Sequence, residues 1–231
     1  VTLIEVVAAD AGLSTGLIEA QVASGGALTR ISLQRGGAAA VELGHADIAL
    51  AAGASYAAAG LALGARFARA ESFVALNGAG ASCRIDGAYL LGGAAPADAT
   101  LKVEHAGAGG TTSELFKGAV RDRARGVFQG KIVVAKDAQH TDARQNHHAL
   151  MLNEGCEIDA KPELEIWADD VQCAHGNTIG ALDDNALFYA RARGIPDAEA
   201  RAMLTDAFIA EAFDRIEDDT VRAWLHGVAQ D

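Results

Sequence analysis

From residue 1 to about residue 180, apolar side chains recur at every second position rather than every 3.6. Leu101, Val103 and His105 fall on one side of such a run, and Lys102 and Glu104 on the other. In an extended chain successive side chains leave opposite faces, so this alternation predicts half-buried β-strands. Equivalent stretches are ALTRISLQRG, GLALGARFARAESFVAL, SCRIDGAYLLGG, QGKIVVAKD, HALMLNEG and CEIDAKPELEIWA, separated by Gly, Asn, Asp or Ala-Gly clusters that favour turns. Short strands in series suit an antiparallel sandwich or a solenoid. Hairpin signals such as Asn-Gly are few and small residues fill the turns, which favours a β-helix of stacked parallel coils.

At residue 182 the period changes. LDDNALFYARARG has Asp183 or Asp184 as an N-cap, arginines in its last turn and Gly194 as a stop, which predicts a helix. After Pro196, DAEARAMLTDAFIAEAFDRI places Ala200, Met203, Leu204, Ala207 and Phe208 on one stripe, continued by Ala212 and Ile216. A third helix carries Val221, Trp224, Leu225 and Val228 on its apolar face. The expected organisation is therefore a β-domain over 1–181 and a small α-helical domain over 182–231. The helices are expected to pack on one another and on the end of the β-domain, shielding its last strand edge. Phe188 and Tyr189 point in different directions, leaving one of them for a partner.

The composition narrows the function. Half of the 231 residues are hydrophobic, which excludes disorder, but only 5% are aromatic. A net charge of −12 disfavours nucleic acid and anionic membrane as partners and favours protein. Three cysteines, Cys83, Cys156 and Cys173, cannot all pair within one chain, which points to free thiols in a reducing compartment, the cytoplasm. No apolar run is long enough to span a bilayer. The chain enters directly on the strand-like VTLIEVV and begins at Val1 rather than Met, the expectation for a piece of a longer protein.

The stretch KPELEIWADDVQCAHGNTIG, residues 161–180, concentrates the reactive side chains. If Val171 points inward, alternation sends Cys173 and His175 to the same side, roughly 7 Å apart. A thiolate and an imidazole there could share a soft metal, with Asp169 and Asp170 orienting the imidazole or adding a carboxylate. Two donors do not complete a metal site, and spacing alone favours a buried cysteine beside a hydrogen-bonded histidine. Cys83 and Cys156 read as core thiols and His105 as a satisfied core histidine. His147 and His148 cannot face one side of a strand together, and Asn146 reads as an inward turn residue. Motifs for a serine nucleophile, a phosphate loop, a dinucleotide site or a zinc protease are missing, so catalysis by this chain has no support.

The segments LFKGAVRDRARGVFQGKIVVAKDAQHTDARQNHHALML, KPELEIWADDVQCAHGNTIGALDDNALFYARARGI and DAEARAMLTDAF together resemble the C-terminal half of the SufB/SufD family of iron–sulfur cluster assembly proteins. The likeness runs from about Thr100 to Phe213, and DDVQCAHGNTIG resembles the SufD branch. It implies a right-handed parallel β-helix followed by a C-terminal helical domain. It also implies a scaffold that pairs with a SufB-like subunit and binds a SufC-like ABC-type ATPase through the helices. His175, with Cys173 close by, would then contribute to a transient iron–sulfur cluster site at the subunit interface, the other ligands coming from the partner. Phe188, Tyr189 and Arg193 on the first tail helix are the expected ATPase contacts. Two other readings compete: a β-helix enzyme acting on polysaccharide, which the low aromatic content disfavours, and a homo-oligomeric scaffold, such as a homodimer through the same edge.

Overall fold

The period-two stretches form strands of 6 to 12 residues, and each turn carries the chain from one sheet to the other. The computed structural model describes residues 1–230. One sheet holds β1 (Thr2–Val7), β3 (Ala27–Gln34), β5 (Ser55–Ala62), β7 (Ser82–Leu91), β9 (Thr111–Val120), β11 (Asp142–Met151) and β13 (Gln172–Gly180) in that order. The other holds β2 (Ala11–Val22), β4 (Ala39–Leu50), β6 (Phe67–Leu76), β8 (Pro96–His105), β10 (Arg125–Val134) and β12 (Glu157–Ile166). Every pairing is parallel and joins strands one coil apart, as in the column Thr2, Thr29, Ala57, Arg84, Ser113, Arg144 and Ala174. This is a parallel β-solenoid, as the alternation predicts, and the antiparallel sandwich is excluded.

The two sheets face each other, so one side of every strand lines the interior. Ile48, Leu50, Tyr56, Val74, Leu76, Val103 and Phe128 fill its middle coils. Leu101, Val103 and His105 point inward, and Cys83 and Cys156 are buried thiols, all as expected. Burial pushes the imidazolium pKa of His105 down to about 4, so the ring is neutral and its Nε2 meets Thr112 Oγ1 at 2.8 Å. At one corner Gly25, Gly53, Gly80 and Gly109 adopt left-handed φ of 65–68°, and their N–H groups bond to the coil above. Only glycine enters that region freely, so the four mark a repeated turn. His140 takes the same place in the next coil, with φ 62°. Pro162 lies within β12, which is an edge strand, where a missing N–H costs the ladder nothing.

The tail forms α1 (Asp184–Ala192), α2 (Asp197–Ala210), a 3-10 turn (Glu211–Phe213) and α3 (Asp219–Gln230). Asp183 caps α1 by accepting from the Asn185 N–H, and Asp218 accepts from the Thr220 and Val221 N–H groups that open α3. Two expectations change. On α2 the buried residues are Ala200, Thr205 and Ile209, followed by Ala212 and Phe213, whereas Met203 is 51% exposed. The stripe turns toward Thr205 because its hydroxyl donates to the Arg201 carbonyl and so tolerates burial. Nor does the tail shield the last strand edge. It lies on the outer face of β3, β5, β7 and β9, where Ile31, Leu33, Ala59, Leu61, Ala88 and Ala119 share a cluster with Ile209, Phe213 and Leu225. Outward positions of β13 are Gln172, Ala174, Gly176 and Thr178, which offer little to bury. Arg215 donates to both carboxylate oxygens of buried Asp86 and to Ser113, and Lys117 pairs with Glu211 beneath the Phe208 ring.

Candidate functional site

The solenoid ends at β13, whose inward side has no further coil above it. Val171 and Cys173 pack against Ile132, Val134, Ala138, Ala143 and Ala168, so that side is the interior one. Alternation then carries His175 and Asn177 to the same side, but His175 is exposed because the interior opens there. Cys173 and His175 are thus together on the rim of the end face. Burial pushes the Cys173 thiol up, the Ala143 N–H opposes this and the Asp142 charge adds to it, so the sulfur carries its proton. Trp167 and Ile179 are exposed at the same end, 64% and 43% respectively.

The two acids before β13 do not point the same way. The Asp170 carboxylate lies 2.9 Å from His140 Nδ1, and its N–H donates to Gln139 Oε1, so it braces the turn over the preceding coil. Asp169 is exposed and makes no hydrogen bond or ion pair among the described residues. Among those residues no group of three or more His, Cys, Asp and Glu side chains could hold a metal ion. Among the described residues the end face therefore brings together one thiol and one imidazole.

Beneath this face the interior turns polar, which the sequence reading missed. The row under His175 is Gln145, then Glu114, and the row under Asn177 is His147, then Phe116. Gln145 donates from Nε2 to Glu114 Oε2 at 2.8 Å, with both residues almost fully buried. Desolvation, reinforced by the Asp86 charge, raises the Glu114 pKa to about 7 against the opposing Gln145 hydrogen bond. The amide fits because residue 130 is glycine: a Cβ there would lie 2.0 Å from Gln145 Nε2. His147 stacks on Phe128, with centroids 4.6 Å apart. Asn177 Oδ1, an acceptor, lies 2.7 Å from its Nδ1, so that nitrogen carries the proton and Nε2 accepts from Tyr89 Oη–H at 2.9 Å. His148 faces outward, as expected of adjacent strand residues, and meets Thr178. Asn146 is no turn residue. It sits within β11 on the outer side, because DARQNHHALM is one continuous strand.

On α1 only Leu187 is buried. Both Phe188 and Tyr189 are exposed, at 73% and 60%, where one was expected, and the Arg193 guanidinium lies 3.5 Å from the Tyr189 ring centroid.

These features define a class: a parallel β-solenoid with a helical tail docked on one sheet and a thiol and an imidazole side by side on its last coil. The SufBD core domain of SUF system FeS cluster assembly matches residues 1–208. The chain belongs to this SufB/SufD family of iron–sulfur cluster assembly proteins and is SufD-like. It is 35% identical to the iron–sulfur cluster assembly protein SufD of Escherichia coli over 178 residues, 77% of this chain and 42% of that protein. A SufBD family protein of Synechocystis is 45% identical over 107 residues, 46% of this chain and 24% of the relative. SufD of Bacillus subtilis is 30% identical over 131 residues, covering 57% and 30%. The chain thus spans less than half the length of these curated relatives. Among the described residues no helix is long and apolar enough to cross a membrane.

Proposed function

We propose that this chain is a scaffold subunit, not an enzyme, of a cytoplasmic iron–sulfur assembly complex. Its end face pairs with a SufB-like subunit, and its tail binds a SufC-like ABC ATPase. His175, with Cys173 beside it, contributes donors to a nascent cluster that is cargo rather than a resident group. The observation that carries this reading is the open end of the interior. There a thiol and an imidazole share one rim, flanked by exposed Trp167 and Ile179, with no third donor grouped with them among the described residues. A set that is complete only when two surfaces meet can be opened when they move apart, which suits a site that must release what it builds. In the tail, exposed Phe188 with Tyr189 and Arg193 offers a partner a rigid aromatic anchor.

The test is the iron and sulfide content of the co-expressed complex, purified without oxygen. His175→Ala is expected to lower both, with Cys173→Ser measured beside it as the independent case; unchanged content in His175→Ala refutes the donor role. Tail binding is checked by capture of the ATPase with Phe188→Ala and Tyr189→Ala. Removing residues 182–231 would strip the cover from Ile31, Leu33 and Leu61 and confuse lost binding with lost folding.

A further inference from the structure

An imidazole that donates one nitrogen to a metal usually has its other N–H held by an acceptor, which fixes the tautomer and the ring direction. His175, read as a donor as proposed above, has the same need. His175 has no such acceptor on its own strand, where its neighbours are Ala174 and Gly176. One coil below, in register and in the same interior row, stands Gln145, 1% exposed. Its Nε2 is committed to Glu114, and its Oε1, on the other side of the same planar group, is buried with no partner among the described residues. In-register side chains do meet across this coil step, since the adjacent row closes the His147 to Asn177 contact at 2.7 Å.

We infer that Gln145 is the positioning residue of His175: its amide oxygen, unpaired in this structure, accepts the ring N–H once the exposed imidazole turns over it, and leaves the opposite nitrogen facing the end face. Glu114 decides which way the amide turns. An ionised carboxylate only accepts, so Nε2 must point down at β9 and Oε1 up at β13. Gly130 supplies the space that lets the amide lie between the two sheets. The row is a three-link device in which a buried acid orients an amide and the amide orients the exposed imidazole.

The test is imidazole nitrogen NMR on the full chain at pH 8.5, above the value of about 7 to which burial raises Glu114, so that its carboxylate is ionised. The wild type is expected to show one dominant His175 tautomer, and Gln145→Met to show the mixed population of a free imidazole. Exchanging the pair, Glu114→Gln with Gln145→Glu, keeps the buried hydrogen bond and an acceptor under His175, so it is expected to restore the single tautomer. Unchanged tautomers in Gln145→Met overturn the proposal. If that variant does not fold, the exchanged pair decides alone, and mixed tautomers in it overturn the proposal. Because the readout needs no cluster, it stands apart from the His175→Ala iron measurement: a held tautomer with unchanged iron removes the donor reading and keeps the device. If both hold, Gln145→Met weakens the hold of the site on iron by about 10- to 100-fold, read as a lower iron content of the complex.

Discussion

Replacing Glu114 by Gln isolates one buried acid in the solenoid interior. Its carboxyl pKa rises from 4.5 to about 7, chiefly through burial. At 1.36 kcal/mol per pH unit, a rise of that size corresponds to about 3 kcal/mol. The sign follows from the direction. The folded state holds the proton more tightly than the unfolded chain, so this group favours folding most below pH 4.5. Its contribution falls as pH rises to about 7, and above that it is constant. Glutamine does not titrate, and whatever its extra N–H costs is the same at every pH. Relative to the variant, the wild type should therefore lose about 3 kcal/mol between pH 4.5 and 8.5. All other titrating groups are common to both proteins and cancel in the difference. Urea unfolding at several pH values reads it directly, as a change of about 1 M or more in the separation of the two midpoints. Midpoints that move in parallel over this range would refute the burial argument.

Gly130→Ala places a Cβ 2.0 Å from Gln145 Nε2 and should cost about 1–3 kcal/mol, seen as a lower thermal midpoint; joint replacement with Gln145→Ala, which by itself unpairs buried Glu114, should cost less than the sum of the two. Arg215→Ala leaves the Asp86 carboxyl buried without its partner and should cost about 3 kcal/mol, with faster proteolysis within residues 211–230; joint replacement with Asp86→Ala should cost less than the sum of the two. Phe213→Ala empties a fully buried site shared by tail and sheet and should cost about 3–5 kcal/mol in denaturant unfolding. His175→Ala, by contrast, changes an exposed side chain and should leave the unfolding free energy within about 0.5 kcal/mol of the wild type in denaturant titration.

Alternation made the strands legible, because each is inward-apolar and outward-mixed, and capping residues made the helices legible. The coil repeat was equally present in Gly25, Gly53, Gly80 and Gly109, but a spacing of small residues carries no hydrophobic signal and passes for ordinary turns. The pair Cys173 and His175 followed from alternation alone. What lay beneath did not, although Gln145 and His147 alternate with Ala143 and Ala149 on one side of β11. A polar residue inside a strand looks the same in sequence whether it faces water or a buried partner, and the partners here, Glu114 and Tyr89, are 31 and 58 residues away. The contact of Asp170 with His140 is hidden for a similar reason: it is set by a turn geometry that the local sequence does not encode. The position of the tail depended on which strands are apolar outside, a question that arises only once the sheets are formed.

The tail leaves the solenoid after its last coil yet is fastened at Asp86 and Ser113, strands away from that end. A load applied to the helices would therefore enter the solenoid through β7 and β9 rather than through β13, and would reach Cys173 and His175 by way of the intervening coils and not by peeling the last strand.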